Sequence, residues 1–133
     1  MKRHRTLKIA VVVATLLIVL VAAGTIYISH AHRQSAIATA ITWARLAPLP
    51  PSARNVEVQI KGSMFAREFV ITFDAAPAAV QQWLAASPGP SSATPARAGP
   101  LTIYAITPGG GAQFAEVKVE ASAGKVIIHT YWS

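Results

Sequence analysis

The sequence predicts an α+β protein: an N-terminal transmembrane helix followed by a small antiparallel sheet covered by one helix, in the order β-β-α-β-β-β. Three observations predict it. Ile9 to Ser29 is a run of 21 residues without a charge, and a basic segment precedes it. From Asn55 onward apolar residues recur with period two, the mark of half-buried strands. Between the second and third strand candidates, Val80, Trp83 and Leu84 fall at i, i+3 and i+4, the spacing of a helix face.

The membrane segment comes first. Twenty-one helical residues span roughly 31 Å, about the thickness of a bilayer's hydrocarbon core. Thr15, Gly24 and Thr25 are tolerable within it, because a helix satisfies its own backbone and a hydroxyl bonds back to a carbonyl. Tyr27 falls where an interfacial ring is favoured. A cleaved signal peptide is the rival reading, since Ser29-His30-Ala31 places small residues at the −3 and −1 positions of a cleavage site. The run exceeds the roughly 7–15 apolar residues of a signal peptide, so an uncleaved anchor is expected.

Lys2, Arg3, Arg5 and Lys8 precede the run with no acid among them, and Arg33 alone follows closely. That asymmetry predicts a cytoplasmic N-terminus, with the remainder in the periplasm or outside the cell, and a bacterial inner membrane as the location. It also disposes of the net charge of +7 as a sign of nucleic-acid binding. Residues 34–133 hold seven Lys and Arg against five Asp and Glu, a balance of +2. No nucleic-acid partner is expected; the bilayer is.

The chain thus reads as a basic flank (1–8), a transmembrane helix (9–29), a juxtamembrane helix with a Pro-rich spacer (30–54) and an outer domain (55–133). Residues 30–47 lack Gly and Pro, so the helix continues, with Ile37 and Ile41 on one stripe beside Ala38 and Arg45. Trp43 either rests at the membrane surface or packs on the domain. Pro48, Pro50 and Pro51 end the helix and make Leu46 to Ser52 a stiff spacer.

In the first strand Val56, Val58 and Ile60 alternate with Glu57, Gln59 and Lys61; in the second Phe69, Ile71 and Phe73 point inward. A loop of several residues around Met64 and Phe65 joins them. Pro77 suits the first turn of the covering helix, and Ser87-Pro88-Gly89-Pro90 stops it. Residues 87–100 read as a mobile loop. Leu101 to Ile106 is a third strand. Ala115, Val117 and Val119, then Lys125 to Trp132, form a last hairpin with Gly124 in the turn. With no Cys, this outer domain of about 80 residues rests on its core alone.

The residues offer little chemistry. Glu116 and Glu120 stand roughly 13 Å apart by strand rise, too far for a glycosidase pair, and read as solvated charges opposite Lys125. His129 shares a strand face with Lys125, Ile127 and Tyr131, and Asp74 is the carboxylate available to orient it. A triad also needs a serine elbow, and no G-x-S-x-G is present. His30 and His32 point in different directions on a helix and lack a third ligand. Gly109-Gly110-Gly111 lacks the Lys and helix of a phosphate loop. No catalytic, cofactor-binding or metal residue is assigned. Tyr104, Tyr131 and Trp132 are the candidates for an exposed partner surface.

Leu49-Pro50-Pro51-Ser52-Ala53-Arg54-Asn55-Val56, followed by Phe69 to Phe73, Ala76-Pro77 and Trp83-Leu84, resembles small membrane-anchored bacterial proteins of uncharacterised function. Their outer domain opens on the pattern PPSA-x-x-V. The resemblance covers about residues 46–132 and implies the fold and an envelope address. It brings no site residues. The function expected is therefore an anchored binding or assembly module, docking on another envelope protein. A small-ligand or cell-wall sensor, using residues 87–100 and the sheet face, is the alternative, with a hydrolase behind it for want of converging groups.

Overall fold

The computed structural model describes residues 2–133, with side chains from Leu7 onward. The side chains of Lys2, Arg3 and Arg5, and with them most of the basic flank, lie outside the described residues. The chain forms two compact units, Met1–Gln34 and Ser35–Ser133.

The first unit is helical over all its described residues. Helix α1 runs Lys2–Trp43, and its stretch from Leu7 to Gln34 is exposed at every position. It is long and apolar enough to cross a membrane. Two threonine hydroxyls inside it are satisfied by the helix itself: Thr15 Oγ1 donates to the Val11 carbonyl at 2.9 Å and Thr25 Oγ1 to that of Ala22 at 2.8 Å. Neither costs an unpaired polar group.

The second unit takes in the last turns of α1. Its sheet has six antiparallel strands in the order β1-β2-β6-β5-β4-β3, made of β1 (Arg54–Ser63), β2 (Ala66–Asp74), β3 (Ala96–Ala98), β4 (Leu101–Ile106), β5 (Phe114–Glu120) and β6 (Lys125–Trp132). Two helices lie between β2 and β3: α2 (Pro77–Ala86) and the short α3 (Pro88–Ser92). The fold is α+β. The order gains one helix and one short strand over the predicted one, both within residues 87–100. That segment is no open loop. Gly89 and Pro90 are buried, and a Cβ on Gly89 would overlap the Ala44 carbonyl oxygen, so glycine permits the close approach.

One sheet face makes the core. Phe69, Ile71 and Phe73 of β2, Ala115, Val117 and Val119 of β5, and Val126 and Ile128 of β6 are buried there. Against them pack Val80, Trp83 and Leu84 of α2, as their spacing predicts. The Phe73 and Trp83 rings meet edge to face with centroids 5.4 Å apart.

The end of α1 belongs to this core as well. Ala36, Ile37, Ala40 and Ala44 are buried, Ile41 is half-buried and Ala38 is exposed, so the buried stripe differs from the one the isoleucines suggest. Trp43 packs on the domain, its ring centroid 5.3 Å from that of Phe69. Two helices therefore cover the sheet, and the compact unit begins at Ser35 where the sequence reading began the domain at residue 55.

The spacer reading of Leu46 to Ser52 is corrected in the same way. Arg45 adopts φ 52° just past the helix; Leu46 N–H donates to Ile41 O at 2.9 Å and Arg45 N–H to Thr42 O at 3.3 Å. This is a Schellman stop, with Leu46 and Ile41 supplying its apolar contact. Ala47 is then held at both backbone groups. Its N–H donates to Ser87 Oγ at 2.9 Å, and its carbonyl accepts from Trp83 Nε1 at 3.0 Å.

Two smaller expectations change. Ile60 is 47% exposed on β1, which is an edge strand of the sheet. The β1–β2 connection is shorter than read: Ser63 pairs with Ala66, leaving only Met64 and Phe65 at the tip.

Candidate interaction surface

Strand alternation sends Lys125, Ile127, His129 and Tyr131 of β6 to the face opposite the core. Residues directly across a pair share a face, so Glu68 and Val70 of β2 and Phe114, Glu116 and Lys118 of β5 join them. Every one of these positions is half-buried or exposed, and both long helices lie on the other face.

The polar centre of this open face is His129. Its Nε2 lies 2.7 Å from Glu68 Oε1, and its ring meets that of Phe114 at 5.1 Å and 62°. Both members of this hydrogen-bonded pair are about one-third exposed. Asp74, the carboxylate expected to orient His129, instead accepts from Asn55 Nδ2 at 3.0 Å. Glu116 pairs with Lys118 at 3.1 Å along its own strand, and Glu120 stands opposite Lys125 as read. The bonded hydroxyls of Ser63, Ser87, Ser91 and Ser133 have partners elsewhere, so none meets the imidazole. Among the described residues no group of three or more His, Cys, Asp or Glu gathers around a point.

The three aromatic candidates do not form one patch. Tyr104 lies opposite Val117 on the covered face and packs half-buried against the core. Tyr131 is on the open face, while Trp132, the next residue, turns to the other side opposite Arg67. Strand β5 separates Tyr104 from both. Only Trp132 of the three is classed as exposed, at 39%.

A different apolar surface appears, and sequence reasoning missed it. In the second unit the exposed large apolar residues are Ile60, Met64, Phe65, Phe114 and Trp132. Register places all five at one end of the sheet. Met64 and Phe65 form the β1–β2 tip, Trp132 faces Arg67 beside it, Phe114 faces Tyr131, and Ile60 faces Phe69. The opposite end, where Asp74 faces Lys125 and residues 121–124 turn, has none of them. The missed signal was Met-Phe at a two-residue turn, where polar residues are the rule. No family model, curated protein or solved structure matches the chain.

Proposed function

We propose that the chain is a single-pass protein of the bacterial cytoplasmic membrane that holds a binding module outside the cytoplasm. In this reading the N-terminus is cytoplasmic, residues 9–29 span the bilayer uncleaved, and the α+β domain docks on a neighbouring envelope protein. The resemblance of the Leu49–Val56 stretch to small anchored bacterial proteins supports the same address.

The observation that carries the docking role is the open sheet face. Val70, Ile127 and Tyr131 flank the His129–Glu68 pair there, presenting apolar and hydrogen-bonding groups together on a paired, stiff framework. Surfaces of that mixed character suit protein contact.

The test is crosslinking in cells. A photoreactive residue at Ile127 should give a discrete heavier product containing one partner, and the same residue at exposed Ser122 should not. Equal, diffuse labelling from both positions would remove the docking role. A second reading has one observation in its favour: a recess of about 400 Å³ between Pro48–Ser52 and α2, lined by Trp83, Ala79 and Gln82. That is within the size range of small-ligand sites. Cell-wall fragments that raise the unfolding temperature, with loss of the effect in Gln82→Trp, would favour a sensor.

A further inference from the structure

We propose that the apolar end of the sheet is a second membrane contact, in which Met64, Phe65 and Trp132 enter the interface of an anionic phospholipid bilayer. The proposal rests on the reading that α1 spans a membrane.

Three observations carry it. First, the exposure is concentrated and extreme. Met64 is 88% and Phe65 77% exposed, on a two-residue tip held by an eight-position ladder between β1 and β2. A paired hairpin presents its tip without the ordering cost that a loose loop would meet on binding. The aromatics beside it are of the kind that favour the headgroup level, where one side of a ring is apolar and the other wet.

Second, the charge around the tip suits phosphate. Lys61 and Arg67 flank it on β1 and β2, and with Ser63 and Met64 they line a recess of about 320 Å³. Glu68, the acid nearest the tip in sequence, is bonded to His129. Lys and Arg beside an inserted apolar group are attracted to anionic headgroups within a Debye length of the surface. A protein partner would be met by shape and hydrogen bonds; cations around two bare apolar side chains match a lipid surface better.

Third, the second unit begins six residues past the uncharged run. From Ser29, the end of the uncharged run, to Ser35, where the domain begins, the chain extends at most about 20 Å. On the anchor reading, a bilayer therefore lies near the start of the domain.

The experiment uses the full chain, which contains no Cys, so a single introduced thiol labels uniquely. Met64→Cys and, as the control at the opposite end of the sheet, Ser122→Cys are labelled with an environment-sensitive fluorophore. Each is reconstituted into vesicles of phosphatidylglycerol and phosphatidylcholine. The label at 64 should shift to the blue and be quenched by nitroxide-labelled lipid, while the label at 122 keeps aqueous emission. Lys61→Glu with Arg67→Glu should reduce the quenching at 64, as should replacing phosphatidylglycerol with phosphatidylcholine.

Aqueous, unquenched emission at 64 in vesicles that retain the protein overturns the proposal and leaves the anchor reading standing. Blue-shifted emission in native membranes but not in pure lipid assigns the tip to a protein partner, and also overturns it. A chain that carbonate strips from the vesicles defeats the anchor reading, and the second contact falls with it.

Discussion

Trp83 joins three parts of the domain through one side chain. Its indole packs edge-on against Phe73 of the sheet, lies 4% exposed, and donates to the Ala47 carbonyl beyond α1. Truncating a buried aromatic costs about 3–5 kcal/mol, against a total of about 5–15 kcal/mol for a domain. Trp83→Ala should therefore unfold the domain or bring its urea midpoint close to zero, measured by circular dichroism on the full chain in detergent. His129→Ala, in the same measurement, should cost well under about 1 kcal/mol, because a pair one-third open to water gains little. Parent-like unfolding of Trp83→Ala would show that α2 does not pack by this face. Gly124 supports a second prediction at this scale. It sits at φ +63°, and a Cβ there would overlap the Ala75 carbonyl oxygen, whose residue's N–H donates to Gly124 O at 2.9 Å. Gly124→Ala should lower stability by about 1–3 kcal/mol, the range for backbone clashes of this kind. Ser122→Ala in the same turn, exposed and free of such overlap, should be near neutral.

The elements differ in how legible they were, and the reason is burial pattern. The hairpin of β5 and β6 alternates cleanly because one face is core and the other open, so Val117, Val119 and Val126 could be placed from sequence alone. The face of α2 was legible for the same reason at helical period. The end of α1 was not. Its buried positions are mostly alanine, which signals weakly, and its helix is continuous with the uncharged run, so nothing in the chain marks the change of surroundings at Ala36. Residues 87–100 were misread because Pro and Gly usually signal disorder; here Pro88 starts a helical turn and Gly89 allows it to sit against α1. Among site residues, the His129 face was read correctly, but its carboxylate was not, since only strand register reveals that Glu68 lies within reach. The role of the α1 end yields a prediction. A soluble fragment beginning at residue 46 lacks Ala36, Ile37, Ala40, Trp43 and Ala44, and leaves one side of Phe69 bare. It should show no cooperative urea transition, while a fragment beginning at Ser35 should show one. Equal, cooperative unfolding of the two would relegate the α1 end to a tether.

At the scale of the whole molecule, α1 is exposed from Leu7 to Gln34 and partly buried beyond, and on the proposed reading its direction across the membrane decides where the domain works. The positive-inside rule weighs Lys and Arg close to each end of a span. Lys2, Arg3, Arg5 and Lys8 stand on one side; Arg33 and then Arg45 stand on the other, the latter past the helix and engaged with the Thr107 and Pro88 carbonyls at 3.4 and 3.5 Å. An alkaline phosphatase fused at the C-terminus should be active in intact cells, and a reporter that needs the cytoplasm should be silent at the same junction. Replacing the four N-terminal cations with Gln should weaken or invert that result, since the bias then rests on the far side. Retention follows from the continuity of α1. Ser29, His30 and Ala31 lie well inside the helix, where each peptide group is part of the hydrogen-bond ladder. A peptidase that takes its substrate extended must first open at least a turn there, next to a segment whose further turns are fixed in the core. The mature protein should therefore run at full length and resist carbonate extraction. A soluble form beginning at His32 would mean that the ladder opens readily, that the domain is released, and that the second membrane contact falls with the anchor.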